Sequence, residues 1–511
     1  MSSEQPQAGA SPTPGPLAGK TQTELEFDER RRRIGIVVGP LAFLLTLAWP
    51  FESLTPEGHR LAAVMALVIV FWITEALPLA VTSLLGPTLA IVLQVESAGV
   101  TFRPFASTTI FLFIGSFILA HALFVHRVNE RVAFGVLSLK IVGARPTRIL
   151  LAYGVLAAVL SAWMSNTATA AMLVPIGISL IRFMESEADI PKKYGTALML
   201  MTTYCCSRGG MATPVGTPPN LIAVGMLGEQ LDFRITFVQW MLFSVPIVLV
   251  LMAIVFVYLN WVGQTGVKEI PGTDKIIAER RAALGPWRRG EINALIAFGV
   301  TVVLWVGPGI LALVLGREHP VAASVLSSIP ESVAALIGVT LLFLLPNSET
   351  ERTTITWKQA AQIDWGTILL FGGGLSLGAL AASSGLAQVV GEGITGLVPT
   401  DEMVTLTFAA ALFTVILSET MSNTAATNIA IPIVISIAVA SGVNPIVPSV
   451  AAALSASVAD ALPVSTPPNA IVYASGRVKI TDMIRYGVLM DIIAVTVVPA
   501  LALMMVPLIL G

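Results

Sequence analysis

Long apolar runs, interrupted at a few points by compact polar clusters, set the pattern of this chain. Crossing about 30 Å of hydrocarbon takes roughly 20 helical residues. The runs at 34–51, 61–73, 77–93, within 108–137, 194–226 and 237–262 predict six crossings. Beyond a basic stretch, 292–315, 333–345, 368–390, 447–474 and 484–510 predict five more. Two stretches do not fit this scheme. The run 149–181 is too long for one comfortable crossing, yet Ser165-Asn166-Thr167 splits it into arms of about 15 residues, each too short to span. The same split falls at Ser422-Asn423-Thr424, between 404–417 and 425–440. Both stretches are therefore predicted to be re-entrant helical hairpins, with a polar triplet at each tip.

Two of the crossings also carry helix breakers. Pro214, Pro218 and Pro219 lie within 194–226, and Pro463, Pro467 and Pro468 within 447–474. Each ring removes an amide donor and forbids continuous helix, which frees carbonyls and exposes half-helix ends. The order is the same in both halves. A Ser-Asn-Thr triplet precedes Gly216-Thr217-Pro218-Pro219-Asn220 in the first, and Ser465-Thr466-Pro467-Pro468-Asn469 in the second. Unpaired polar groups are costly in hydrocarbon, so such clusters survive where they line a cavity or hold a ligand. With the first helix set aside, each half holds five crossings and one hairpin. An odd number inverts the second copy and brings both motifs to one centre near the midplane. The expected fold is all-α and polytopic, with about 11 transmembrane helices plus two re-entrant hairpins, arranged as inverted-topology repeats.

Composition agrees. Of 511 residues, 55% are hydrophobic and 12% charged, against about 25% charged in a soluble domain. The formal net charge is −2 and the basic residues cluster in short loops, which argues against nucleic-acid binding. Residues 1–29 are rich in Pro, Ser, Gly, Gln and Glu; they read as a disordered tail and not as a signal peptide. Arg30 to Arg33 abut the first apolar run, and Lys275, Arg280, Arg281, Arg288 and Arg289 form the next basic group. The positive-inside rule puts both in the cytoplasm. The organisation is then a disordered cytoplasmic tail over 1–33, a first half over 34–262, a cytoplasmic loop over 263–291 and the inverted repeat over 292–511. Five crossings after that loop leave the C-terminus outside a cytoplasmic membrane.

Other chemistries find little support. Adjacent Cys205 and Cys206 read as small apolar fillers, since neighbouring cysteines seldom form an unstrained disulfide. His59, His121, His126 and His319 show no metal-ligand spacing. Nothing pairs a nucleophile with a base, so an enzyme is not expected. A channel wants a continuous polar stripe along pore helices, whereas polarity here is concentrated at four points. Gly372-Gly373-Gly374 is followed by no Lys-Ser or Lys-Thr, and close helix packing explains it better than a phosphate loop.

Four marks resemble the divalent anion/sodium symporter family: Ser165-Asn166-Thr167 followed by Ala168-Thr169-Ala170-Ala171-Met172, then Gly216 to Asn220, the second triplet, and Pro463 to Val472. Trp72-Ile73-Thr74-Glu75-Ala76-Leu77-Pro78 resembles a stretch near the family's start. The resemblance runs from about residue 34 to the end of the chain, at spans sized for a bilayer. It implies transport of dicarboxylates, tricarboxylates or sulfate by an elevator movement, in which a transport domain slides against a dimeric scaffold. Carried over by position, one sodium site uses Ser161, Ser165, Asn166 and the backbone at Gly216. The other uses Ser418 and Asn423 with the backbone around Met421, Ser465 and Pro467. Substrate carboxylates meet Asn166, Thr167 and Thr217 on one side and Asn423, Thr424 and Thr466 on the other.

The division is chemically sensible. Hard Na⁺ wants several oxygen ligands, while hydroxyl and amide donors suit carboxylate oxygens. Helix N-termini at both tips add partial positive charge toward an anion. Arg208 departs from the resemblance, which leads to a small or apolar residue there, and Asp460 is similarly unexpected in the second half. A buried arginine must be paired or face water: the two residues either pair or Arg208 assists the anion. Glu75 is expected to be structural or interfacial, and Glu419 either faces the site or caps its hairpin. The function these features imply is Na⁺ symport of C4-dicarboxylates such as succinate, malate or fumarate, by a homodimer in the cytoplasmic membrane. A Na⁺-independent dicarboxylate antiporter, or a sulfate or citrate symporter, is the alternative.

Overall fold

The structure, a computed structural model, describes residues 22–188, 190–348, 352–395 and 402–510. All regular secondary structure among the described residues is helical. Helix α1 (Gln22–Ala48) stands before the first half, which opens with α2 (Pro56–Thr74) and α3 (Leu79–Val92). The short α4 (Ala98–Phe102) leads into α5 (Thr108–Val125) and α6 (Val128–Leu137). Helices α7 (Pro146–Ser161) and α8 (Asn166–Glu187) form a hairpin around the first triplet. The proline-broken crossing is α9 (Lys192–Met211) and α10 (Pro218–Leu231), and α11 (Phe237–Val262) closes the half. The connection contains α12 (Thr273–Ala282).

The second half repeats this order. It runs through α13 (Arg289–Leu315), α14 (Pro320–Ser328) bent against α15 (Glu331–Leu344), the one-turn α16 (Trp357–Ala360), α17 (Trp365–Ser383) and α18 (Leu386–Thr395). The second hairpin is α19 (Met403–Thr420) with α20 (Asn423–Ala440), the broken crossing is α21 (Ile446–Ala456) with α22 (Pro467–Ala474), and α23 (Ile480–Leu510) ends the chain's described part.

Contacts between the halves are reciprocal. Helix α3 packs on α17 and α5 on α15; α8 packs on α22 and α10 on α20; α2 packs on α18 and α6 on α13. Matching α2 with α13, α3 with α15, α5 with α17, α6 with α18, α8 with α20 and α10 with α22 turns each contact into its pair's other member. A two-fold relation between repeats requires this pattern. The centre is formed by α9, buried throughout from Tyr194 to Met211, and by α21, buried from Val447 to Ala456. Ser449, Ala451, Ala452, Ala453, Ser455 and Ala456 let backbones approach closely. Leu249, Val257 and Trp261 on α11, Val314 on α13 and Leu508 on α23 point outward and exposed, the face a multi-pass membrane protein turns to lipid.

The all-α, polytopic expectation holds, with three changes in detail. Among the described residues, nine helices are long and apolar enough to cross a membrane, or ten with the bent α14–α15 pair. Each of the eleven anticipated crossings is occupied by helix, but α1 is not among the nine, α3 is short, α15 passes only with α14, and the proline-broken crossings divide into pieces, while the hairpin arms α8, α19 and α20 pass the test themselves. Second, the arms are not about 15 residues each: α7 has 16, α8 has 22, and α19 and α20 have 18. Asn166 and Asn423 are already helical, and at its far end α8 continues through polar Glu185 to Glu187, where Glu185 meets Arg477 at 2.6 Å. Third, the stretch 22–33, placed in the disordered tail, is the start of α1; Arg31 meets Asp28 at 3.6 Å and Glu75 at 3.2 Å. The rest of that tail, 1–21, and Gly511 at the C-terminus lie outside the described residues. Glu75 itself caps α2 in a left-handed conformation, φ 47°, which accords with a structural role.

Candidate functional site

Each triplet sits where its hairpin reverses. Ser165 is the N-cap of α8, and its hydroxyl accepts from the Ala168 amide at 3.2 Å; Ser422 does the same for α20 through Ala425, also at 3.2 Å. Serine is favoured there because its oxygen satisfies an amide the helix start leaves free. One turn earlier, Ser161 Oγ meets Asn166 Oδ1 at 2.5 Å and Ser418 Oγ meets Asn423 Oδ1 at 2.7 Å. The spacing Ser-x4-Asn is thus used identically in both tips. Ser165 and Thr167 are exposed, while Asn166, Ser422, Asn423 and Thr424 are half-buried.

The proline loops close around a side chain that the sequence reading quoted without giving it a task. Asn220 Nδ2 donates to the Gly210, Met211 and Thr213 carbonyls at 2.9, 3.4 and 2.7 Å. Asn469 Nδ2 donates to the Ala459 and Leu462 carbonyls at 3.1 and 3.0 Å. Both loops are therefore cinched from the first turn of the following helix, where Pro218-Pro219 and Pro467-Pro468 have no amides to give. The last residue of the Pro-Pro-Asn repeat was the available signal. Thr217 and Thr466, the N-caps of α10 and α22, are 3% and 5% exposed, so whatever reaches them must enter the protein's interior.

Tip and loop meet within each half. Thr213 Oγ1 donates to the Ala162 carbonyl, at the first tip. A side chain at Gly216 would stand 2.5 Å from the Gly210 carbonyl oxygen and 2.9 Å from that of Ala162. Only glycine leaves this cradle of carbonyl oxygens open. In the second half Ser418 Oγ stands 2.7 Å from Asn423 Oδ1 and 2.6 Å from the Ala456 carbonyl. Glu419, whose role the sequence left open, accepts from the Ala461 amide at 2.9 Å and from Ser465 Oγ at 2.7 Å. It holds the second loop to the second tip, so Ser465, Met421 and Asn423 belong to one assembly. Pro467 follows that loop at the start of α22, exposed. No group of three or more His, Cys, Asp or Glu among the described residues is placed to hold a metal. The donor sets are instead neutral oxygens, which fit an alkali cation carried as cargo.

Arg208 and Asp460 form a two-point ion pair. Arg208 Nη1 donates to Asp460 Oδ1 at 2.6 Å and Nη2 meets Oδ2, with the side chains 1% and 0% exposed. Arg208's charge is thus engaged by a carboxylate. Asp491, a lone carboxyl in the last apolar run that sequence reasoning passed over, accepts from the Asp460 amide at 3.1 Å. An acidic residue inside such a run was itself a readable signal. Gly372, Gly373 and Gly374 lie tight against Phe105, Ser83 and Asn428, in keeping with close helix packing. Two open surface grooves, along Trp287 to Ile296 and along Ala253 to Trp261, are apolar and include no residue of either tip.

The family model for the sodium:sulfate symporter transmembrane region matches residues 32–510. The sodium-dependent dicarboxylate transporter SdcS of Staphylococcus saprophyticus is 32% identical over 488 residues, covering 94% of this chain and 92% of its own. SdcS of Staphylococcus aureus (strain USA300) is 33% identical over 489 residues, with the same coverage. Among solved structures, the YdaH transporter of Alcanivorax borkumensis aligns with a TM-score of 0.54 at 14% identity, over 94% of this chain and 96% of its own. MtrF of Neisseria gonorrhoeae, described within a class of antimetabolite efflux pumps, aligns at 0.56 and 14%, over 90% and 97%. These two likenesses concern the fold alone.

Proposed function

The chain belongs to the sodium:sulfate symporter family, and from that membership we propose that it moves C4-dicarboxylates such as succinate, malate and fumarate across the cytoplasmic membrane by Na⁺ symport. The observation that carries this reading is the doubled assembly of hairpin tip and asparagine-cinched loop, each presenting neutral oxygens and hydroxyl donors. Similarity to the staphylococcal sodium-dependent dicarboxylate transporters supports the substrate class and the ion.

In this reading, one Na⁺ is held by Ser161, Ser165, Asn166 and the Gly216 backbone, and another by Ser418 and Asn423 with backbone at Met421, Ser465 and Pro467. Asn166, Thr167 and Thr217 donate to one carboxylate, and Asn423, Thr424 and Thr466 to the other. Because Arg208 is engaged by Asp460, cations supply the positive charge the dianion needs, which favours symport over Na⁺-independent exchange. Substrate and Na⁺ then raise one another's affinity, as linkage demands. A transport domain that carries the site slides past a homodimeric scaffold in an elevator movement, with the N-terminus and the 263–291 connection cytoplasmic and the C-terminus outside. Uptake of labelled dianions by proteoliposomes at varied Na⁺ tests the reading. Succinate uptake that rises with Na⁺ and is competed by malate and fumarate is expected; uptake of sulfate or citrate in preference to succinate would overturn the substrate assignment.

A further inference from the structure

The two loops are alike in how they are cinched and unlike in what holds them from outside. The first is held within its own half, by Asn220 and by Thr213 on Ala162. Asn220 Oδ1 is buried without a hydrogen-bond partner among the described residues. The corresponding oxygen of Asn469 accepts from Thr203 Oγ1, on α9 of the first half. The same helix grips the second loop again five residues on, through Arg208 and Asp460. Asp460 is further fixed by Asp491 through its amide, and its neighbour Ala461 by Glu419, which also takes the Ser465 hydroxyl.

Helix α9 therefore faces both loops. Arg208 stacks near its own Tyr204 ring at 5.4 Å and reaches into the second loop. Gly210, two residues on, lies against Asn166 Oδ1 and the Gly216 carbonyl at the first. One hydrogen bond, Nη1 to Oδ1, and a second close charge contact, Nη2 to Oδ2, fix orientation as well as distance. The second loop is thus connected through Asp460 and Arg208 to the end of α9 that lies against the first tip and loop. Under the register that matches Asn220 with Asn469, Arg208 and Asp460 do not correspond, so this link exists once and not twice.

Building on the sodium reading above, we propose that Arg208 is a positioning residue that couples the two cation sites: its ion pair with Asp460 fastens the second half's loop to the helix bounding the first, so filling one site raises the other's affinity. Removing one partner strands a buried charge, whereas replacing both with apolar groups preserves packing. The test is Arg208→Met combined with Asp460→Leu in the full chain. Its readouts are the Na⁺ titration of the melting temperature of detergent-purified protein and the Na⁺ dependence of succinate uptake in proteoliposomes. Wild type is expected to respond steeply, with a Hill coefficient above unity, and the double variant with a lower Hill coefficient in both assays, hyperbolic in the melting-temperature titration, with its response at saturating Na⁺ retained. A double variant as steep as wild type overturns the proposal. Should that variant not fold, Arg208→Lys keeps the charge without the second contact and is expected to lower the Hill coefficient; a wild-type value there overturns it equally. A wild type that responds to Na⁺ without cooperativity overturns this inference alone, and one indifferent to Na⁺ in both assays overturns the sodium reading with it.

Discussion

A hydroxyl has one proton, yet Ser418 Oγ stands within hydrogen-bond distance of two acceptors, Asn423 Oδ1 and the Ala456 carbonyl. Three oxygens sharing one proton gain from a cation among them. Ser418→Ala is expected to weaken the Na⁺ dependence of uptake about tenfold, the equivalent of about 1.4 kcal/mol, while leaving the melting temperature without Na⁺ nearly unchanged. A Na⁺ titration of both quantities checks this. Gly216→Ala places a methyl 2.5 Å from the Gly210 carbonyl, so uptake is expected to be lost at any Na⁺ concentration while the protein is still produced; transport assayed beside a size-exclusion profile decides it. At this scale the sequence was readable wherever a residue recurred. Ser165 and Ser422 announced themselves by repetition and N-cap chemistry. The pairing of Arg208 with Asp460, 252 residues away, was named beside anion contact and preferred to it, and the buried ion pair accords with that preference.

Among elements, the loops between α9 and α10 and between α21 and α22 depend on one asparagine each. Asn220→Ala removes donors from the Gly210, Met211 and Thr213 carbonyls, and Asn469→Ala from Ala459 and Leu462. At about 0.5–1.5 kcal/mol net per bond and more for a stranded buried group, each substitution is expected to destabilise by about 2–4 kcal/mol. Thermal unfolding of the purified variants measures it, and Asn469→Ala should also strand Thr203 on α9. Prolines foretold where these crossings break, because a missing amide is a local property. Arm length was not foretold in the same way. Counting apolar letters stopped at the polar ends of α8 and α19, where Arg182, Glu185 and Thr420 continue the helix. Helix propensity and tertiary partners, not hydropathy, set those ends.

For the whole molecule, the order of motifs already implied two related halves, and the reciprocal contacts of α3 with α17 and α5 with α15 express that relation in packing. Composition alone gave a multi-pass membrane protein, since 12% charged residues cannot cover a soluble surface of this size. The start of α1 at Gln22 was hidden because its charged first turns resemble a tail. The central claim concerns charge: with Arg208 engaged by Asp460, a dianion entering between the halves needs cations to accompany it. Labelled succinate offered to proteoliposomes under an inward Na⁺ gradient tests this most directly. The account predicts accumulation above the external concentration that collapses when K⁺ replaces Na⁺. Accumulation unaffected by that replacement, or exchange with internal dicarboxylate as the sole transport seen, would contradict it.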